Sequence, residues 1–314
     1  MKKIYYYSVM AMAVSMAAWT FSSCSDDEDT TPSHADVNKF VPADTDQSVE
    51  AGIRRNFKEQ TNSYLLFNDT LSKERNGEDM YGNPVYKIET LDINYELVGS
   101  GNSYIYLYDY ITDDADKQKA ANFVASKLAK KLGQMTPYSY LLVNGIQQCV
   151  RNSDGVVRPV TDRDGNPKPS PLYVLGSRCL AISMEKGTAY DEAGFFDSML
   201  EDIVYKKISS DDSYLKEFYA AVENYNNIVN SYKDDLGYEL GRNIELARSL
   251  GLVTDYSYYF FAKGKEWETR QYLKEILSKT QEEIETEYAP YPICLKRFAI
   301  LRSVMENLGF NFDM

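Results

Sequence analysis

The sequence predicts an α+β fold with a mixed sheet in the N-terminal half of the body and a helical C-terminal half. Two observations carry this. Up to about residue 190, segments that alternate apolar and polar residues are interleaved with segments of helical period. From Asp191 onward, apolar residues recur mainly at helical intervals. In chain order, Val49 to Leu66 carries Ile53, Phe57, Tyr64 and Leu65 at roughly helical spacing and predicts the first helix. Val85 to Tyr95 largely alternates, and Tyr104 to Tyr108 is an aromatic and β-branched run beyond a Gly99-Ser100-Gly101-Asn102 turn. These two runs predict a hairpin. Ala115 to Leu132 places Ala120, Phe123, Val124, Leu128 and Leu132 on one helical face. Tyr138 to Val150 and Leu172 to Met184 read as strands, separated by a Gly- and Pro-rich loop from Asn152 to Pro171. The helical half breaks near Ser209 to Asp212, at Gly251 and at Pro290-Tyr291-Pro292, and no internal repeat is evident.

The chain has 314 residues, of which 44% are hydrophobic and 13% aromatic. That apolar supply can offset chain entropy, so a disordered chain is excluded. A net charge of −13 repels phosphate backbones and excludes a nucleic-acid partner.

Residues 1–23 read as a secretory signal, with Lys2 and Lys3 before a short apolar centre that runs through Val9 to Trp19. The segment closes on Phe21-Ser22-Ser23-Cys24, which resembles the lipobox of bacterial lipoproteins. The resemblance implies cleavage before Cys24 and attachment of a diacylglycerol to its thiol. The following Ser25-Asp26-Asp27-Glu28-Asp29 resembles the acidic export tag of surface lipoproteins of Bacteroides-like bacteria, which implies an outer-membrane anchor facing outward. The bland alternative is a solvated acidic linker in a periplasmic lipoprotein. Residues 24–46, acidic and polar with Pro32 and Pro42, are expected to be a lipidated tether. Residues 47–314 are expected to form a single domain with a sub-boundary near 190.

The chemistry available is narrow. The single histidine, His34, falls in the expected tether, so nucleophiles needing an imidazole base and zinc sites needing an imidazole ligand lose their commonest machinery. Cys149, Cys179 and Cys294 show no CxxC spacing and read as small buried hydrophobes. Asp162-Arg163-Asp164-Gly165-Asn166 opens like a calcium loop. However, Pro167 and Tyr173 stand where an EF-hand needs Gly and Glu, so an ordinary turn is expected. A carboxylate pair of the glycosidase kind remains open.

Phe196 to Lys207 carries Phe196, Met199, Leu200, Ile203 and Val204 at helical spacing, the pattern of a core helix. Together with its surroundings the stretch resembles the zinc metallopeptidase lipoproteins of Bacteroides-type bacteria, which are associated with TonB-linked nutrient import. The resemblance is carried by the lipobox and acidic tag, by Ala247 to Tyr256 with its Gly251-Leu252-Val253 step followed by Lys265-Glu266-Trp267-Glu268, and by Tyr291 to Phe298 with the closing Gly309 to Asp313. It implies a zincin-like fold. Where that family carries HExxH, with two histidines gripping one zinc and a glutamate as base, this chain reads Leu200-Glu201-Asp202-Ile203-Val204.

Both gripping positions are therefore aliphatic. Glu201 is expected to be a solvated or capping residue and Glu266 a vestigial acid, with no catalytic residue, metal or cofactor. The expected function is that of a pseudo-metallopeptidase. It would be a surface lipoprotein binding a peptide or glycan as an accessory of a TonB-linked importer. Tyr104, Tyr106, Tyr108, Tyr256, Tyr258, Tyr259 and Trp267 are candidate stacking faces, weighed against a plain core role. The alternatives are an active zinc-dependent or carboxylate-based hydrolase, and a structural or adhesive surface protein.

Overall fold

The computed structural model describes residues 38–93, 104–184, 196–222, 244–253 and 264–313. The signal segment, Cys24 and Tyr256, Tyr258 and Tyr259 lie outside these residues, as does the sub-boundary near 190. Phe40–Met314 forms one compact unit. Phe40 is buried, and its carbonyl accepts a hydrogen bond from Arg54 Nη2 at 3.0 Å, so the end of the expected tether is packed into the body.

The first helix, α1 (Val49–Thr61), is capped by Ser48, whose Oγ accepts from the Ala51 amide at 3.1 Å. It stops five residues before the sequence pattern suggests. Asn62 adopts the left-handed conformation at φ 58° and its amide returns to the Lys58 carbonyl, so the chain turns out of the helix. Tyr64–Leu66 then forms strand β1.

The expected hairpin between Val85 to Tyr95 and Tyr104 to Tyr108 is not formed among the described residues. Strand β3 (Pro84–Thr90) pairs antiparallel with β2 (Thr70–Glu78), and β4 (Ile105–Tyr110) joins the main sheet by pairing with β5 (Ser139–Arg151). A tight turn explains the β2–β3 choice. The Asp79 carboxylate accepts from the Tyr81 and Asn83 amides at 2.8 and 2.9 Å, and Gly82 supplies the required φ of +82°. The loop Asn152 to Pro171 holds a second copy of this turn. Asp162 Oδ1 accepts from the Asp164 and Asn166 amides, both at 2.9 Å, with Gly165 at φ +85°. The shared sequence is Asp-x-x-Gly-Asn-Pro, at Asp79 to Pro84 and Asp162 to Pro167, a six-residue repeat too short to be a repeated unit of the fold. The Asp162 segment is thus a turn. The same loop also contains strand β6 (Val157–Pro159).

The main sheet is mixed and six-stranded. Strand β5 is its spine: β1 and β8 (Cys179–Ser183) pair with it in parallel, while β4 and β6 pair antiparallel. Val143 pairs with both β4 and β8, and Cys149 with both β4 and β6. A strand has two edges, so β1 and β4 share one side of β5 and β8 and β6 the other. Strand β7 (Tyr173–Leu175) closes antiparallel on β8. Successive side chains point to opposite faces. Tyr140 and Leu142 accordingly enter the larger core under the helices, while Leu141 and Val143 meet Phe40, Leu66 and Ile93 on the other face.

The helical layer comprises α2 (Asp114–Phe123), which runs on through a π segment to Leu132, and α3 (Asp197–Ile208) and α4 (Asp212–Ala220). It is completed by α5 (Ile244–Ser249), α6 (Gly264–Ser278), α7 (Gln281–Glu287) and α8 (Pro292–Asn307). The protein is therefore a mixed α+β structure. The three cysteines among the described residues, Cys149, Cys179 and Cys294, are free and buried. Burial pushes the Cys179 thiol up to about 12 and that of Cys294 up to about 11, so both stay protonated near neutral pH.

At the end of α7, Glu287 is bound by Lys279 Nζ at 2.5 Å and by Arg248 Nη2 at 2.8 Å. The Lys279 hydrogen bond, outweighing burial and helped by Arg248, holds its carboxyl below the ordinary 4.5. A depressed folded value means that this contribution to stability is full above about pH 4.5 and is lost as pH falls through the folded value. The melting-temperature difference between wild type and Glu287→Gln should therefore shrink as the pH is taken from about 7 to about 3. A difference independent of pH would contradict the linkage.

Candidate functional site

The segment Leu200-Glu201-Asp202-Ile203-Val204 lies on α3. Its apolar residues Met199, Leu200, Ile203, Val204 and Ile208 are buried in the larger core, and this fixes the helix rotation. Glu201 and Asp202 are thereby set on the flank that faces α6. Arg270 Nη1 reaches Glu201 Oε1 at 3.1 Å and Asp202 Oδ1 at 2.7 Å. One turn earlier on α6, Glu266 Oε1 lies 3.0 Å from Arg270 Nε, the i,i+4 spacing that makes helical pairs neighbours. Lys274 approaches the other oxygen of Glu201 at 4.0 Å. The Arg270 guanidinium also covers the Tyr205 ring at 4.3 Å. The Tyr173 hydroxyl, from β7, donates to the Asp202 carboxylate, and the Ser198 carbonyl lies 3.0 Å away.

The electrostatics follow from this geometry. Burial alone would lower the Arg270 value, but its hydrogen bonds to Asp202, Glu201 and Glu266 outweigh it and hold the guanidinium more firmly charged than usual. Burial, reinforced by the neighbouring Asp202 carboxylate, pushes the Tyr173 phenol well above its ordinary value, so it remains a neutral donor. Glu201 is neither solvated nor a cap. Its side chain is only 15% exposed and is engaged by two cations. Glu266 is largely exposed and contributes to the same cluster.

The residues present do not fit a zinc ion. Leu200 and Val204 point into the core, and the carboxylates that converge do so on a guanidinium. No group of three metal-capable side chains occurs among the described residues. The cluster orients α3 against α6 and β7. Proton transfer by Glu201 would first require release from Arg270.

A second charged centre lies inside the helical half. Arg297, on α8, is fully buried. Its Nε donates to the Phe218 carbonyl at 3.0 Å and its Nη1 to the Gly251 carbonyl at 2.6 Å and to the Glu268 carboxylate. Its guanidinium lies 3.9 Å from the Phe218 ring and 4.8 Å from the Tyr272 ring. The Tyr272 hydroxyl donates to the same Gly251 oxygen at 2.9 Å. This centre joins the Gly251 step, the Glu266-Trp267-Glu268 segment and the closing helix. The partner in that segment is Glu268, whereas Glu266 serves Arg270. The signal for Arg297 was in the sequence: with Cys294, Phe298, Leu301 and Met305 it occupies the core-facing positions of α8, where a charge is out of pattern.

Of the aromatic candidates, Tyr106 and Tyr108 pack against the smaller sheet core and Trp267 against the cluster around Ala247 and Leu252, while Tyr104 is 38% exposed. A groove of about 340 Å³ runs along β4 and β5, lined by Leu107, Asp109, Gly145, Gln147 and Ser170 among others. No helix among the described residues is long and apolar enough to cross a membrane. Comparison with known proteins finds no matching family model, curated protein or solved structure.

Proposed function

We propose that the protein is a non-catalytic binding lipoprotein, anchored in the outer membrane through Cys24, in which a zincin-like scaffold has been given over to an accessory role in TonB-linked nutrient uptake. The observation that carries the non-catalytic reading is the state of the α3 segment. Leu200 and Val204 belong to the core, and Glu201 is ion-paired to Arg270. The groove between Leu107 and Ser170 is the concave surface offered to a peptide or oligosaccharide. Two acyl chains on Cys24 would hold the protein stably at a membrane.

The test uses the full chain expressed in membranes. Wild type should take up a radiolabelled fatty acid and Cys24→Ala should not. Purified in detergent, wild type should hold no stoichiometric zinc and hydrolyse no peptide library, while binding to a peptide or glycan array should weaken with Leu107→Asp. One tight zinc per chain, with peptidase activity abolished by Glu201→Gln, would overturn the reading.

A further inference from the structure

The β2–β3 ribbon is unlike the rest of the sheet structure. All seven residues of β3 are exposed, as are most of those of β2, and among the described residues the ribbon pairs with no other strand. Isolated two-stranded ribbons are marginal in water, and a third strand is the usual remedy. The outer edge of β3 has a defined polarity. The Leu91 amide donates back to the Asp69 carbonyl at 2.6 Å, so odd-numbered positions turn toward β2 and the even-numbered Tyr86, Ile88 and Thr90 turn their backbone groups outward.

We propose that this edge pairs antiparallel with the β3 edge of a second copy, with Ile88 on the two-fold axis. The strand is chemically self-complementary about that residue. Ile88 meets Ile88 of the partner subunit, Lys87 faces Glu89 of the partner subunit and the reverse, and Tyr86 faces Thr90 of the partner subunit. Opposite residues in an antiparallel pair lie on the same face, so both charge pairs can close. The outward-facing amides and carbonyls of Tyr86, Ile88 and Thr90 are those this register uses.

Neighbouring registers are rejected. Centring the pair on Lys87 or on Glu89 sets like charges against each other. The whole chain carries −13, which keeps copies apart, but Lys87 and Glu89 cancel, so this edge is a place where two copies can approach. Pairing two ribbons yields a four-stranded sheet and covers Ile88 and Tyr86, which are 55% and 44% exposed.

Cysteine cross-linking of the full chain in membranes tests the register. A hydrogen-bonded pair on the axis has Cα atoms about 5.5 Å apart, within disulfide reach, whereas position 85 lies about 20 Å from its symmetry mate. On mild oxidation Ile88→Cys should form covalent dimer at least about tenfold above both Val85→Cys and wild type, which supplies the baseline for the native cysteines. In the Ile88→Cys background, Lys87→Glu should suppress the link, and adding Glu89→Lys should restore it by returning opposite charges across the axis. Lys87 also sits opposite Glu74 within the ribbon, and the double variant leaves that clash in place, so rescue separates dimer contact from ribbon folding. Equal linking of both cysteine variants, absence of linking in both, or failure of the charge swap to rescue would overturn the proposal. Absence in both would leave the edge to a different chain.

Discussion

Arg297→Met is expected to destabilise the protein by about 3–5 kcal/mol, the range for removing one partner of a buried ion pair. The reason is desolvation. Glu268 is 2% exposed, and without the guanidinium its charge stays in a medium that solvates it poorly. The Phe218 carbonyl loses its donor as well, whereas the Gly251 carbonyl keeps the Tyr272 hydroxyl. Glu268→Leu should be destabilising on the same grounds. The double variant Arg297→Met, Glu268→Leu should recover much of the loss, because apolar side chains of similar volume can replace a buried pair at little net loss. A deficit of about 1–3 kcal/mol is expected to remain for the Phe218 carbonyl. Chemical denaturation of all four proteins measures this. If the two single losses simply add in the double variant, the pair is not the interaction that matters.

The contrast between the two charged centres shows what a sequence carries. Much of the order of elements was legible because it rests on local periodicity, but β1, β2 and β6 fall in segments read as helix, left unassigned and read as loop. Ala115 to Leu132 and the β5 segment lie within one or two residues of where their patterns put them, although π geometry intervenes after Phe123, whereas Leu172 to Met184 is divided into the antiparallel pair β7 and β8. Strand partners were not legible. Val85 to Thr90 could pair forward or backward on alternation alone, and the Asp79 turn, a five-residue device, decides for β2. The helix end at Asn62 turns on a single left-handed residue. For the site, periodicity correctly put Leu200 and Val204 on an apolar face. It could not show that Glu201 and Asp202 join Glu266 at Arg270, because the Glu201 and Asp202 contacts span nearly 70 residues of chain and depend on how α3 and α6 rotate against each other.

Gly133 marks a point where backbone meets backbone, and here a single methyl group should act as strongly as the loss of a buried charge pair. The residue sits at φ 56°, ψ −119°, a region that L side chains avoid. A Cβ placed there would lie 1.9 Å from the carbonyl oxygen of Gly309. That oxygen cannot swing aside like a side chain. Gly309 is itself at φ 91°, and two residues later the Asn311 amide donates to the Lys131 carbonyl at 2.8 Å, fastening the C-terminal tail to the end of the α2 segment. Gly133→Ala must therefore strain its own backbone, by roughly 1–3 kcal/mol, and also displace the tail with buried Phe310. The total should approach that of a core truncation, about 3–5 kcal/mol. Gly52 is the control: exposed in α1 with open space around its Cβ position, it should gain about 0.5–1 kcal/mol as Gly52→Ala from helix propensity alone. Hydrogen exchange at the Asn311 amide distinguishes the cause, since tail displacement should speed it in Gly133→Ala and leave it unchanged in Gly52→Ala. A Gly133→Ala protein as stable as wild type, with Asn311 still protected, would mean that the tail is not seated on Gly133 as described.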